Sequence, residues 1–154
     1  MIELGKNAPA FKLLNQDGKQ VELKDFAGQP VILYFYPKDM TSGCTQEACD
    51  FRDSIQAFNA LKAVVLGVSA DSVERHRKFA DKYELNFDLL SDESKEMLEN
   101  YGVWKEKSMY GKKYMGIERT TIIIDSAGKI SRVFSKVKVP GHIAAVQEAL
   151  KELK

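Results

Sequence analysis

Cysteine is scarce here: 154 residues hold two, Cys44 and Cys49, and histidine is equally rare, at His76 and His142. In the reducing cytoplasm expected for this chain, two thiols read as catalytic or metal-binding rather than as a permanent staple. A zinc centre would have only the two histidines to add, neither near the cysteine pair, and both read as lying on solvated helical faces. Charge of one sign is lacking too. With 23 basic and 22 acidic residues the net charge is +1, which leaves no nucleic-acid footprint and no polybasic membrane patch. Long apolar runs are absent, since VILYFY and TIII fall far short of the ~20 residues a membrane span requires. The opening MIELGKNAPA has no basic start leading into an apolar core, so a cytoplasmic protein without a secretory leader is expected. No repeat, low-complexity tract or linker interrupts the chain, and its length suits one domain over 1–154.

What is present reads as a mixed α/β protein. FKLLNQDGKQVEL is two strand-like runs about Asp17-Gly18, an N-terminal β-hairpin. Val31 to Tyr36 is a continuous apolar run of strand formers, as a central strand covered on both faces requires. Ala63 to Val68 is a second such strand, after which Asp71 or Ser72 caps a helix from Val73 to Tyr83. A brief strand at Phe87 to Leu90 and a short helix from Asp92 to Tyr101 follow. Thr120 to Asp125 and Lys129 to Phe134 flank Ser126-Ala127-Gly128 as a second hairpin. A final helix from about His142 carries Ile143, Val146, Leu150 and Leu153 at helical spacing. This order predicts a mixed central sheet with helices on both faces.

Both cysteines fall in YPKDMTSGCTQEACDFRD. Downstream, Ala48, Phe51, Ile55 and Phe58 recur at spacings of three and four and define the buried stripe of one amphipathic helix. Continued backwards, that stripe reaches Cys44, placing it partly shielded in the first turn, behind Thr41 or Ser42 as cap. Unpaired N–H groups and the positive end of the helix dipole favour a thiolate there. Five residues of ideal helix separate two Cα atoms by roughly 8–9 Å, beyond the ~7 Å limit of a disulfide. Either the pair is chemically irrelevant, two unrelated cysteines in a helix, or the start of the helix must unwind before the sulfurs meet. The second option describes a peroxide-reactive cysteine and a resolving one. Spacing alone leaves both open.

The surrounding residues resemble a known family. Pro37-x-x-x-Thr41-x-x-Cys44 matches the PxxxTxxC motif of peroxiredoxins. Thr45, Ala48, Phe51, Arg52 and Asp53, with the second cysteine five residues on, resemble the bacterioferritin comigratory protein or PrxQ subfamily. Gly5-x-x-Ala8-Pro9-x-Phe11, Tyr101-Gly102-Val103-Trp104 and Gly116-Ile117-x-Arg119-Thr120-Thr121 extend the similarity over essentially the whole chain. The resemblance implies a thioredoxin-like fold and reduction of hydrogen peroxide or alkyl hydroperoxides. It implies thioredoxin or a glutaredoxin-like dithiol as reductant, a monomer, and no metal, haem or flavin cofactor. By the same resemblance Cys44 is the nucleophile and Cys49 the resolving cysteine, joined to Cys44 in an intramolecular disulfide. Thr41 positions the peroxide, Arg119 stabilises the thiolate and transition state, Pro37 shields the pocket, and Glu47 orients the arginine. The family commonly carries proline where Ser42 stands, so the turn entering the helix loses a fixed φ.

Two rival functions share this pattern. A thiol–disulfide oxidoreductase on the same fold would be expected to carry Cys-x-x-Cys, which is absent. A non-enzymatic binding or holdase domain would keep the fold with spent cysteines. Arg119 could also be an ordinary surface ion-pair partner, and Trp104, Tyr101, Tyr110 and Tyr114 read as packing residues.

Overall fold

The computed structural model describes residues 2–153. The chain opens with the expected hairpin, β1 (Lys12–Leu14) against β2 (Gln20–Glu22). The Asn15 side chain closes its turn by accepting from the N–H groups of Asp17 and Lys19. Then come β3 (Val31–Phe35), α1 (Ser42–Asp53), α2 (Ile55–Ala60), β4 (Val64–Ser69), α3 (Val73–Lys82), β5 (Asp88–Ser91) and α4 (Glu96–Asn100). A hairpin follows, of β6 (Trp104–Met109) and β7 (Lys112–Ile117); β8 (Thr120–Ile124), β9 (Ile130–Phe134) and α5 (His142–Lys151) complete the chain. Seven strands form one mixed sheet in the order β2-β1-β5-β4-β3-β8-β9, while β6 and β7 form a separate two-stranded sheet.

The run Val31 to Phe35 is central as expected, parallel to β4 and antiparallel to β8. Its period of two splits the core. Ile32, Tyr34 and Tyr36 face a cluster with Ala48 and Phe51 of α1, Phe58 of α2, Phe79 of α3 and Val146 of α5. Val31, Leu33 and Phe35 face the other cluster, with Phe11, Met97 and Leu98 of α4, and Tyr101. Helices thus cover both faces, unequally: among the described residues four α-helices lie on one side, and α4 with the short 3-10 helix Leu23–Phe26 on the other. Gly67 is glycine for a packing reason. A Cβ there would lie 2.8 Å from Tyr34 Cζ and 2.9 Å from Leu89 Cδ2, so its absence lets the Tyr34 ring stack on Phe51 at 4.5 Å.

Several expectations are corrected. The stripe from Ala48 to Phe58 belongs to two helices, because Ser54, with ψ near 4°, ends α1 and starts α2. The helix expected from Asp92 begins only at Glu96, because Lys95 takes a left-handed φ of 65° as its N-cap. The β6–β7 hairpin is an additional element between α4 and β8. Of the aromatics read as packing residues, Tyr101 is buried but Tyr110 is 97% exposed at the tip of that hairpin, and Tyr114 is exposed as well. His76 and His142 are not solvated: both are buried and hydrogen-bonded. Among the described residues no helix is long and apolar enough to cross a membrane.

Candidate active site

The sheet register creates the site. Phe35, the last residue of β3, lies opposite Thr120, the first of β8. The chain leaving β3 therefore enters α1 at the same end of the sheet from which Arg119 leads into β8. Arg119 is held there by its backbone, whose carbonyl accepts from Val137 N–H at 2.9 Å. Beside it, Glu118 N–H donates to Val103 O at 2.8 Å, and the Glu118 carboxylate pairs with Lys105 at 2.8 Å.

Cys44 and Glu47 are three residues apart on α1 and so share one helix face. One guanidinium spans both. Arg119 Nη2 donates to Cys44 Sγ at 3.1 Å, and Nη1 donates to Glu47 Oε1 at 2.5 Å. The planar fork of arginine suits this double contact in a way a lysine ammonium does not. Cys44 is 1% exposed and Glu47 0%, so the thiol is fully buried rather than partly shielded. Gly43 borders the guanidinium, at 3.4 Å from its ideal Cβ position to Arg119 Nη2.

Electrostatics follow from burial against pairing. Burial pushes the Glu47 carboxyl up from 4.5 to about 7, and Arg119 only partly opposes that rise. Its Oε2 has no partner among the described residues. Burial works against the Arg119 charge, but Glu47 and Cys44 outweigh it and raise the pKa, so the cation is fixed. Lys107 of β6 is pulled down, by partial burial and then by Arg119. A fixed cation thus lies 3.1 Å from the Cys44 sulfur, at the first turn of α1. The N–H groups of Ser42, Gly43 and Cys44 precede the first backbone bond of that helix, Thr45 N–H to Thr41 O at 2.9 Å.

The remaining expected residues stand around this core. Thr41 occupies the N-cap position, but its side chain makes no cap bond; Oγ1 donates to Lys38 O at 2.8 Å. Pro37 lines an open cleft of about 360 Å3 with Trp104, Lys107, Tyr114 and Ile117. The β6–β7 hairpin walls that cleft, which gives Trp104 and Tyr114 a place the sequence did not suggest. Cys49 is half-buried on the same unbroken helix as Cys44, and both thiols are free. On ideal helix geometry they face directions about 140° apart. His142, at the start of α5, is a group behind the site that sequence reasoning missed. Its Nε2 is bonded to Thr121 Oγ1 at 2.7 Å, and its ring packs edge-on against Phe51. Burial, and then Arg119, pull its pKa from 6.5 to about 4, so it is neutral at physiological pH.

A buried thiol held by arginine and carboxylate at a helix start, on a thioredoxin-type sheet, defines a class of thiol-based oxidoreductases. The chain belongs to the AhpC/TSA family, which residues 4–133 match. Its relatives place it among the Bcp/PrxQ peroxiredoxins, which are peroxidases. It is 49% identical over 152 residues to peroxiredoxin Bcp of Bacillus subtilis (strain 168), covering 99% of this chain and 97% of that one. To peroxiredoxin Bcp of Escherichia coli (strain K12) it is 48% identical over 151 residues, covering 98% and 97%. A solved structure of the bacterioferritin comigratory protein of Xanthomonas campestris, described for its alkyl peroxide reduction activity, superposes with a TM-score of 0.91. That pair is 40% identical, over 97% of this chain and 98% of that one. A more distant neighbour, a reduced 2-Cys peroxiredoxin of Plasmodium vivax, is 26% identical with a TM-score of 0.78, over 96% of each chain.

Proposed function

We propose that this peroxiredoxin reduces hydrogen peroxide and alkyl hydroperoxides through Cys44, with Cys49 as the resolving thiol. The observation that carries the reading is the Arg119 Nη2 contact to Cys44 Sγ at 3.1 Å. The thiolate attacks one peroxide oxygen and the O–O bond breaks. The other oxygen leaves with the bond pair and takes a proton, so the products are Cys44 sulfenic acid and water or an alcohol. Charge develops on the leaving oxygen while it shrinks on sulfur, and a guanidinium touching the sulfur is placed to follow it. The free N–H groups of the first turn and the Thr41 hydroxyl supply further donors for a substrate with little else to grip. Pro37 shields the pocket on the side of the β6–β7 cleft, and Glu47 aims the guanidinium.

The sulfenic acid then meets Cys49. Its thiol sulfur forms the S–S bond as the Cys44 S–O bond breaks, and the hydroxyl leaves with the thiol proton as water. Because both residues sit on one intact helix, α1 must open at its start first. An external dithiol, thioredoxin or a glutaredoxin-like protein, reduces the disulfide by exchange. The enzyme works as a single domain over 1–154, as a monomer in the cytoplasm. Peptide mapping by mass spectrometry after one equivalent of peroxide tests the cycle. A linkage between Cys44 and Cys49 is expected, and two cysteines that stay unlinked, with Cys44 reduced, contradict it.

A further inference from the structure

The loop joining β3 to α1 is pinned by a second buried network. Asp39 is 1% exposed and His76 0%. The Asp39 carboxylate accepts from Tyr36 Oη at 2.6 Å and pairs through Oδ2 with His76 Nδ1 at 2.6 Å. His76 Nε2 faces Leu90 O at 3.0 Å. A carbonyl only accepts, so Nε2 carries a hydrogen, and a single proton is left to bridge Nδ1 and the carboxylate. The backbone of Asp39 is held as well. Its N–H donates to Asp71 Oδ2 at 2.8 Å, and its carbonyl accepts from Arg75 Nη2 at 3.3 Å. Asp71 is fixed in turn by Ser69 Oγ at 2.7 Å and Arg75 Nε at 3.0 Å. Asp39, Asp71 and His76 bring their ligand atoms within 4.8 Å of one another. Protein donors already occupy those atoms, so the cluster reads as a structural clamp and not a cation site.

The residue after the clamp is strained. Met40 has φ +69°, a left-handed conformation that is uncommon for a non-glycine residue and costs it backbone strain. Next comes Thr41, the N-cap of α1. Every bond that immobilises Asp39 therefore holds Met40 in strain and, through it, the start of the helix that carries Cys44.

We propose that the Asp39–His76 pair is a latch on the Pro37–Thr41 loop, setting how often α1 opens for Cys49 to reach oxidised Cys44. Closed, it holds Thr41 and Cys44 in the arrangement that attacks peroxide; open, Met40 relaxes and the first turn frays. His76 and Asp39 are thus positioning residues, which act through the loop and touch no reacting atom. The proposal rests on resolution by Cys49 as described above. A looser latch speeds disulfide formation, slows the first oxidation, and lowers over-oxidation to the sulfinic acid, because the sulfenic acid survives for less time.

The test is rapid-mixing kinetics on the full reduced chain, following sulfenic acid and disulfide by quench and mass spectrometry. Asp39→Ala removes the hydrogen-bond partner of two buried groups and raises the disulfide rate by roughly tenfold. Asp39→Asn restores the normal rate, because its amide oxygen accepts from Tyr36 and its NH2 donates to a neutral His76. Met40→Val, at an exposed position, makes the left-handed conformation costlier. It raises the disulfide rate severalfold without touching a buried group, so it decides the matter even if Asp39→Ala does not fold. A Met40→Val rate at or below that of the unaltered protein overturns the latch. So does an Asp39→Asn protein that behaves like a folded Asp39→Ala one. If the unaltered protein forms no disulfide at all, resolution by Cys49 falls and the latch with it; equal rates in all proteins defeat the latch alone.

Discussion

Two buried polar networks flank the entry to α1, and they differ in completeness. In the Tyr36–Asp39–His76 cluster all five side-chain polar atoms are paired, through three bonds of 2.6 to 3.0 Å. In the Cys44–Glu47–Arg119 cluster one carboxylate oxygen has no partner, and the arginine spends one arm on a sulfur. A satisfied network rigidifies what it holds, whereas a partly satisfied one stores unfavourable electrostatics at a defined place. The first is built to hold a loop. The second sets the Cys44 sulfur beside a fixed cation and leaves a carboxylate oxygen of the perturbed Glu47 unpaired, and perturbed groups of this kind gather where chemistry is done.

The sharpest way to break this comparison is to remove the sulfur. Cys44→Ser is expected to abolish peroxide turnover while leaving the fold intact, and steady-state peroxide consumption with a dithiol checks it; retention of most of the activity would refute the assignment. Cys49→Ser comes next. It should oxidise at Cys44 once at the normal rate and then stall, with the sulfenic acid persisting or becoming over-oxidised, as seen in single-turnover kinetics and protein mass. Arg119→Lys keeps the charge but loses the fork, and should slow the first oxidation by about 10²-fold with little change in melting temperature. A loss below about threefold would make the guanidinium contact incidental.

A smaller effect reads the electrostatics directly. Glu47 has its pKa raised to about 7, so between pH 4.5 and 7 the folded state binds more protons than the unfolded one. Its contribution to stability therefore falls as pH rises through that window. His142 has its pKa lowered to about 4, so the folded state binds fewer protons between pH 4 and 6.5, and its contribution rises with pH. The two slopes oppose each other in the unaltered protein. Glu47→Gln should leave only the rising slope and stabilise the fold by on the order of 2–3 kcal/mol at pH 8. His142→Gln should leave only the falling one. Denaturant midpoints at half-unit pH steps check both.

What the sequence displayed and what it hid divide along physical lines. The central strand showed itself because Val31 to Phe35 is apolar on both faces, and the paired turns showed through Asp17-Gly18 and Ser126-Ala127-Gly128. The Cys44 helix was readable from its stripe, and Arg119 only through family resemblance, since 75 residues separate it from the thiol it touches. The β6–β7 hairpin stayed hidden because KEKSMYGKKYM is mostly exposed on both faces, so no alternation marks it. Its one signal was Tyr110-Gly111, a two-residue turn with positive φ at both positions. The break at Ser54 left the helical spacing undisturbed. His76 and His142 looked solvated because the partners that make their burial tolerable, Asp39 and Thr121, lie 37 and 21 residues away.

The claim beneath all this is that the geometry around Cys44 turns an ordinary thiol into a fast peroxide-reducing one. The most direct measurement is the second-order rate constant for hydrogen peroxide with the reduced protein at pH 7, by stopped flow, beside free cysteine under the same conditions. A rate at least about 10³-fold above free cysteine is predicted, the scale expected of preorganised donors in a water-poor site. A rate no greater than that of free cysteine would contradict it.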